Sequence, residues 1–230
     1  MTQQTTRTAH PVTCDPRTAV TRSLLGYGII AGPLYVGVSL AQALTREGFD
    51  LSRHAWSLLA NGDLGWIQIT NFVVTGLMVI ACAVGLGRAL AGGRGATWAP
   101  RLVGTYGVSL IGAGIFRADP AMGFPVGTPD GPGGVSLSGM LHFACGAVGF
   151  LCVIVACFVI GRRFAAAGGA GWALYSRLTG GSFLAAFAAI ASSAGASWAN
   201  LAFVSGVVII WAWLSALSLY LYRHAAPRHV

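Results

Sequence analysis

Residues 48–66 read GFDLSRHAWSLLANGDLGW and separate two long apolar runs, so they decide how the rest of the chain is arranged. Counting from Asp50, the polar side chains Asp50, Arg53, His54, Ser57 and Asn61 recur at i, i+3, i+4, i+7 and i+11. Leu51, Ala55, Trp56, Leu58 and Leu59 fill the opposite side. A helix gathers that spacing onto one face. The stretch therefore predicts a short interfacial helix in the first outer loop, begun by Asp50 as N-cap and ended by Asn61-Gly62.

The whole chain supports a membrane setting. Hydrophobic residues make up 55% and charged residues 9%, with a mean hydropathy of +0.71, whereas soluble domains carry roughly 25% charge. The net charge of +8 is spread over arginines near the ends of apolar runs. That distribution sets orientation in a bilayer and does not build a nucleic-acid face. Cys82, Cys145, Cys152 and Cys157 lie within apolar runs and Cys14 in the N-terminal tail, so they read as packing residues and not as a disulfide framework.

Six apolar spans follow in order, at residues 24–43, 64–90, 98–116, 136–160, 174–191 and 199–222. The expected fold is all-α: a polytopic membrane bundle of six transmembrane helices. Residues 1–21 read as a disordered cytoplasmic tail, 22–223 as the bundle and 224–230 as a C-terminal cytoplasmic tail. Ala41-Gln42-Ala43 resembles a signal-peptidase site, but the long polar start and the apolar stretch of about 20 residues favour a retained anchor. Residues 122–135, MGFPVGTPDGPGGV, predict an irregular loop. Placing the N-terminus in the cytoplasm leaves only Arg46, Arg53 and Arg117 of the 14 arginines outside, as the positive-inside rule requires. Glu47, Asp50, Asp63, Asp119 and Asp130 fall on that outer side.

Three segments, GFDLSRHAWSLLANGDLGWIQITNF, FRADPAMGFP and SGMLHFACG, together resemble the bacterial membrane proteins grouped as domain of unknown function 998. The resemblance covers nearly the whole chain after the tail. It implies a compact six-helix bundle in the bacterial inner membrane and brings no established activity.

The chemistry-bearing residues converge, by this topology, at the outer rim. Candidate catalytic residues are Asp50, His54, Asp119 and His142; candidate ligand-binding residues are Arg53, Ser57, Gln68, Asn71, Arg117 and Ser138. Carboxylates beside imidazoles suit acid–base work, and the same groups suit a lipid headgroup or small amphiphile. Each also has a structural reading: Asp50 as a cap, Arg53 snorkelling to headgroups or paired with Asp119, and Gln68, Asn71 and Ser138 as interhelical hydrogen bonds. His142 stands out as an imidazole inside an apolar span, which needs a polar partner.

Zinc held by His54, His142 and one carboxylate would leave an open coordination position, but the chain lacks paired-histidine spacing. A haem bridging the two histidines ranks below zinc. Every Arg, Asp and Glu lies near or beyond a span end, which argues against a proton-coupled transporter or ion channel. The reading is therefore an outward polar pocket that binds a lipid or small amphiphile, with no cofactor and no nucleic acid as partner. The alternative is a membrane-embedded enzyme, a hydrolase or a terpene-cyclase-like protein, with Asp50 or Asp119 as acid and His54 or His142 as base or ligand. Small-residue pairs such as Gly28/Gly32 and Ala202/Gly206 serve contacts within one bundle or between protomers equally well.

Overall fold

A computed structural model describes residues 15–193 and 195–225. The remaining parts of both predicted tails, Cys14 included, lie outside the described residues. Six helices follow one another: α1 (Pro16–Thr45), α2 (Gly65–Ala89), α3 (Trp98–Ile115), α4 (Leu137–Ala166), α5 (Ala170–Ser192) and α6 (Ser197–His224). Five of them are long and apolar enough to cross a membrane. The sixth, α3, is only 18 residues long and carries Pro100 and Arg101 close to its start, which dilutes its apolar character.

Helix α1 begins inside the stretch read as a tail. Its cause is local: the Asp15 carboxylate accepts from the Arg17 and Thr18 N–H groups at 3.1 and 3.2 Å, and Pro16 occupies the first helical position. Both features favour initiation there.

Each helix packs against its neighbours in the chain, and α6 closes the ring against α1. Alternation places the start of α1 and the end of α6 together, where the Arg22 guanidinium donates to the Ala225 carbonyl at 3.2 Å. The opposite end carries residues 46–64, residues 116–136 and the α5–α6 turn, and is called here the loop end. Inside the ring, Trp211 stacks on Tyr35 at 4.8 Å between centroids and lies 5.7 Å from Tyr106.

Small residues set how closely the rods approach. A Cβ on Gly76 of α2 would lie 2.7 Å from the Gly107 carbonyl oxygen, and one on Gly107 of α3 would lie 2.8 Å from that of Gly76. Gly28 of α1 abuts Cys82 of α2 and Ser218 of α6 in the same way. Tight backbone contact of this kind is how helices associate where water supplies no hydrophobic drive. The outer surface bears the complementary pattern, with Ile30, Leu77, Val108, Phe143, Leu178 and Leu201 all exposed. Trp66, Trp98 and Trp198 are exposed at or next to helix starts.

Candidate functional site

The loop between α1 and α2 corrects the expected interfacial helix. Asp50 Oδ1 accepts from the Ser52 N–H and hydroxyl, both at 2.8 Å, and the Asp50 carbonyl accepts from the N–H groups of Arg53 and His54. This is one tight turn. The chain then extends at Ala55 (φ −66°, ψ 147°), and only Trp56–Ala60 forms a short 3-10 helix. Asp50 offers its own backbone an alternative to helix, as aspartate at a turn commonly does, so the polar residues never line up as one stripe. Asn61 follows the 3-10 helix in extended geometry and Gly62 turns with φ +72°.

His54 is 2% exposed and holds two loops together. Its Nδ1 accepts from the Asp50 N–H at 2.8 Å, so Nε2 carries the proton and donates to the Met122 carbonyl at 2.9 Å. The ring lies 5.2 Å from Phe49 and 5.5 Å from Phe124. Arg46, which sequence reasoning passed over, does similar work. It donates to the carbonyls of Leu59 and Asn61, both at 2.6 Å, with its guanidinium 5.0 Å from the centre of the Phe124 ring. Burial pulls the Arg46 pKa down from its ordinary value and nearby Asp63 opposes that pull. Asn61 donates to the Ala118 carbonyl at 3.1 Å, and Asn200 of α6 to that of Leu51 at 2.9 Å.

Asp119 begins α4 from outside it. Its carboxylate accepts from the Ser136 hydroxyl at 2.5 Å and the Ser136 N–H at 2.9 Å, while the Ser136 hydroxyl oxygen accepts from the Gly139 N–H at 3.0 Å. Those bonds, the hydroxyl's first, hold the Asp119 carboxyl below its ordinary value. Asp50 is lowered likewise by the Ser52 N–H and then the Ser52 hydroxyl. A depressed carboxyl contributes stability that is intact above the ordinary value of 3.8 and lost as pH falls from there through the depressed one. Acid below about pH 4 should therefore loosen the start of α4. Asp119→Asn should produce the same loosening at neutral pH, read as faster hydrogen exchange at residues 139–140.

His142 sits roughly 8 Å into α4, five residues from its start at 1.5 Å per residue, and is 5% exposed. Its Nδ1 lies 3.0 Å from the Ala113 carbonyl oxygen and 2.8 Å from that of Phe116. Carbonyls only accept, so Nδ1 carries the proton and donates. Ser138 donates to the Arg117 carbonyl at 3.0 Å. The Arg117 side chain is exposed.

Gln68 and Asn71 join α2 to α1. Gln68 Oε1 accepts from Gln42 Nε2 at 2.9 Å, Gln68 Nε2 donates to Ser39 Oγ at 3.1 Å, and Asn71 Nδ2 donates to the Tyr35 carbonyl at 3.1 Å. Among the described residues Gln42 Oε1 and Asn71 Oδ1 are buried and have no hydrogen-bond partner. Arg53 pairs with Asp130 at 2.9 Å, and not with Asp119 as expected. That pair is 42% and 83% exposed, so water screens it heavily.

A cavity of about 350 Å³ opens in the loop-end half of the ring. Tyr35, Phe72, Tyr106, Phe150, Phe187 and Phe203 line it, and Ala55, Trp56 and Ser57 roof it. Phe143 on α4 and Ala191 on α5 are exposed among its lining residues, so its wall reaches the outer surface at those two helices. Of the ten candidates, only Ser57 and His142 line it; Asp50, Arg53, His54, Gln68, Asn71, Arg117, Asp119 and Ser138 do not. The two imidazoles thus share no hollow. Among the described residues no three His, Cys, Asp or Glu side chains gather as a metal-binding group, so the considered zinc arrangement is not formed. The cavity itself went unread because its aromatic residues are scattered over all six helices and each alone looks like packing.

The fold and the cavity define an all-α bundle with membrane-length apolar helices and an aromatic chamber whose wall reaches the outer surface. The chain belongs to the family described as Protein of unknown function (DUF998), whose pattern matches residues 29–220. No curated protein and no solved structure matches it.

Proposed function

We propose that the protein spans a bacterial inner membrane six times, with both termini cytoplasmic, and binds a lipid or small amphiphile in its aromatic cavity without chemical turnover. The cavity carries the reading: its volume falls within the range of about 300–1,000 Å³ usual for small-molecule sites, and its wall reaches the apolar outer surface. Helix α3 is the sixth span, packed between α2 and α4. Arg17, Arg22, Arg88, Arg162, Arg163 and Arg223 cluster at the terminal end, which supports a cytoplasmic assignment for it. Binding is favoured over turnover because no carboxylate lines the chamber among the described residues.

Gly146→Leu tests this directly. Gly146 lines the cavity, and a Cβ there would meet nothing nearer than Phe150 Cε2 at 3.8 Å. The added side chain fills the space without displacing a helix. Native mass spectrometry of protein released from membranes should show at least about tenfold less bound lipid, a loss of about 1.4 kcal/mol, with the unfolding midpoint unchanged. A variant that keeps the wild-type lipid complement would overturn the proposal.

A further inference from the structure

The geometry points to an uncharged lipid alcohol as the occupant of the cavity, its hydroxyl donating to His142 Nε2. This inference rests on the cavity reading above and narrows it to one headgroup chemistry. Because Nδ1 spends its proton on the Ala113 and Phe116 carbonyls, Nε2 of the neutral ring is a hydrogen-bond acceptor only. Among the described residues Nε2 makes no hydrogen bond, and it is absent from the polar atoms sealed in the interior. A lone pair thus reaches open space from a side chain that lines the cavity and is 5% exposed.

What can satisfy that lone pair is restricted on both sides. A ketone, ester or ether brings only acceptors and cannot bond to it. A carboxylate or phosphodiester brings acceptors and a charge, and a quaternary ammonium brings a charge without a proton to donate. Among the described residues no lining side chain is an acid, a lysine or an arginine, so a charged headgroup would be desolvated without a counter-ion. A hydroxyl donates one hydrogen bond and remains neutral. Its own oxygen can then accept from a hydroxyl of the lining, where Tyr35, Tyr106, Ser109 and Ser57 are present. The hydrocarbon lies against Phe150, Phe187 and Phe203 and leaves at α4 and α5, where the wall reaches the apolar outer surface. Several molecules share this chemistry: a straight-chain or prenyl alcohol, a polycyclic alcohol and a diacylglycerol.

Purified full-length protein in nanodiscs would be loaded with tritiated 1-dodecanol and challenged with unlabelled dodecanol, methyl dodecyl ether, dodecanoate and dodecyltrimethylammonium. The alcohol should compete at least about fivefold better than the ether, the worth of one net hydrogen bond of about 1 kcal/mol. The two ions should compete more weakly still. In His142→Phe the alcohol-over-ether preference should vanish while the chain still binds.

Should His142→Phe fail to fold, ¹⁵N NMR of histidine-labelled wild type gives the same answer. Dodecanol should move the unprotonated Nε2 resonance of His142 and leave that of its protonated Nδ1 in place, whereas the ether should move neither. Farnesol, a polycyclic alcohol and dioleoylglycerol, added in turn, identify the hydrocarbon; preference for any of them over its own methyl ether supports the inference. Equal competition by alcohol and ether, or tighter binding of either ion, would overturn it and leave the amphiphile reading standing. Absence of dodecanol binding, with lipid retained by Gly146→Leu, would remove both.

Discussion

Replacing His54 by alanine should lower the unfolding free energy by about 2–4 kcal/mol and open residues 46–64 to protease, while amphiphile binding per folded molecule stays near wild type. The size of the effect comes from three losses at once. The Asp50 N–H and the Met122 carbonyl lose their common partner, and the ring leaves a hole between Phe49 and Phe124. Met122 adds to the sensitivity, since its φ of 58° is an uncommon backbone state for a side chain of its size. Thermal unfolding in detergent, limited proteolysis and lipid counting together make the check. A variant with an unchanged midpoint and no bound lipid would show that His54 serves the ligand directly and that the latch reading is mistaken.

Gly107→Val should be at least as damaging, with a loss of about 3 kcal/mol or more and little protein accumulating in the membrane. The facing backbone cannot retreat alone: the α2–α3 seam is built from Gly76 and Gly107 lying carbonyl to Cα in both directions. A β-branched side chain there must push the two rods apart over several turns, because close packing is the main attraction left between helices in lipid. Gly104→Ala on the same helix is the control. Its Cβ would meet the Ala83 Cβ at 3.6 Å, an ordinary contact, so its expression and melting should match wild type. Equal behaviour of the two variants would mean that the seam tolerates separation.

Much of the architecture was legible because lipid leaves few choices. Apolar runs of roughly 20 residues between single arginines become helices wherever their backbones must satisfy themselves. The expected spans at residues 64–90 and 199–222 correspond closely to α2 and α6. The loop end was less legible. A 3.6-residue period in residues 50–61 promised a helix, yet the Asp50 side chain and the His54 ring satisfied the same backbone more locally. Arg53 shows a different limit. Its partner Asp130 lies 77 positions away in a glycine- and proline-rich loop, whose path no periodicity predicts. His142 was recognisable as unusual from its apolar surroundings alone, but the direction of its hydrogen bonds depends on where α3 ends.

The loop end is tied largely by side chains that hold main-chain oxygens. Arg46, His54, Asn61, Ser138, His142 and Asn200 all reach for main-chain oxygens, those of Leu59, Asn61, Met122, Ala118, Arg117, Ala113, Phe116 and Leu51. Any amino acid supplies such an oxygen, so the acceptor positions can drift in evolution while the joint is kept. Pairwise covariation, which detects one side chain answering another, is therefore blind to the contacts that fix this end of the molecule.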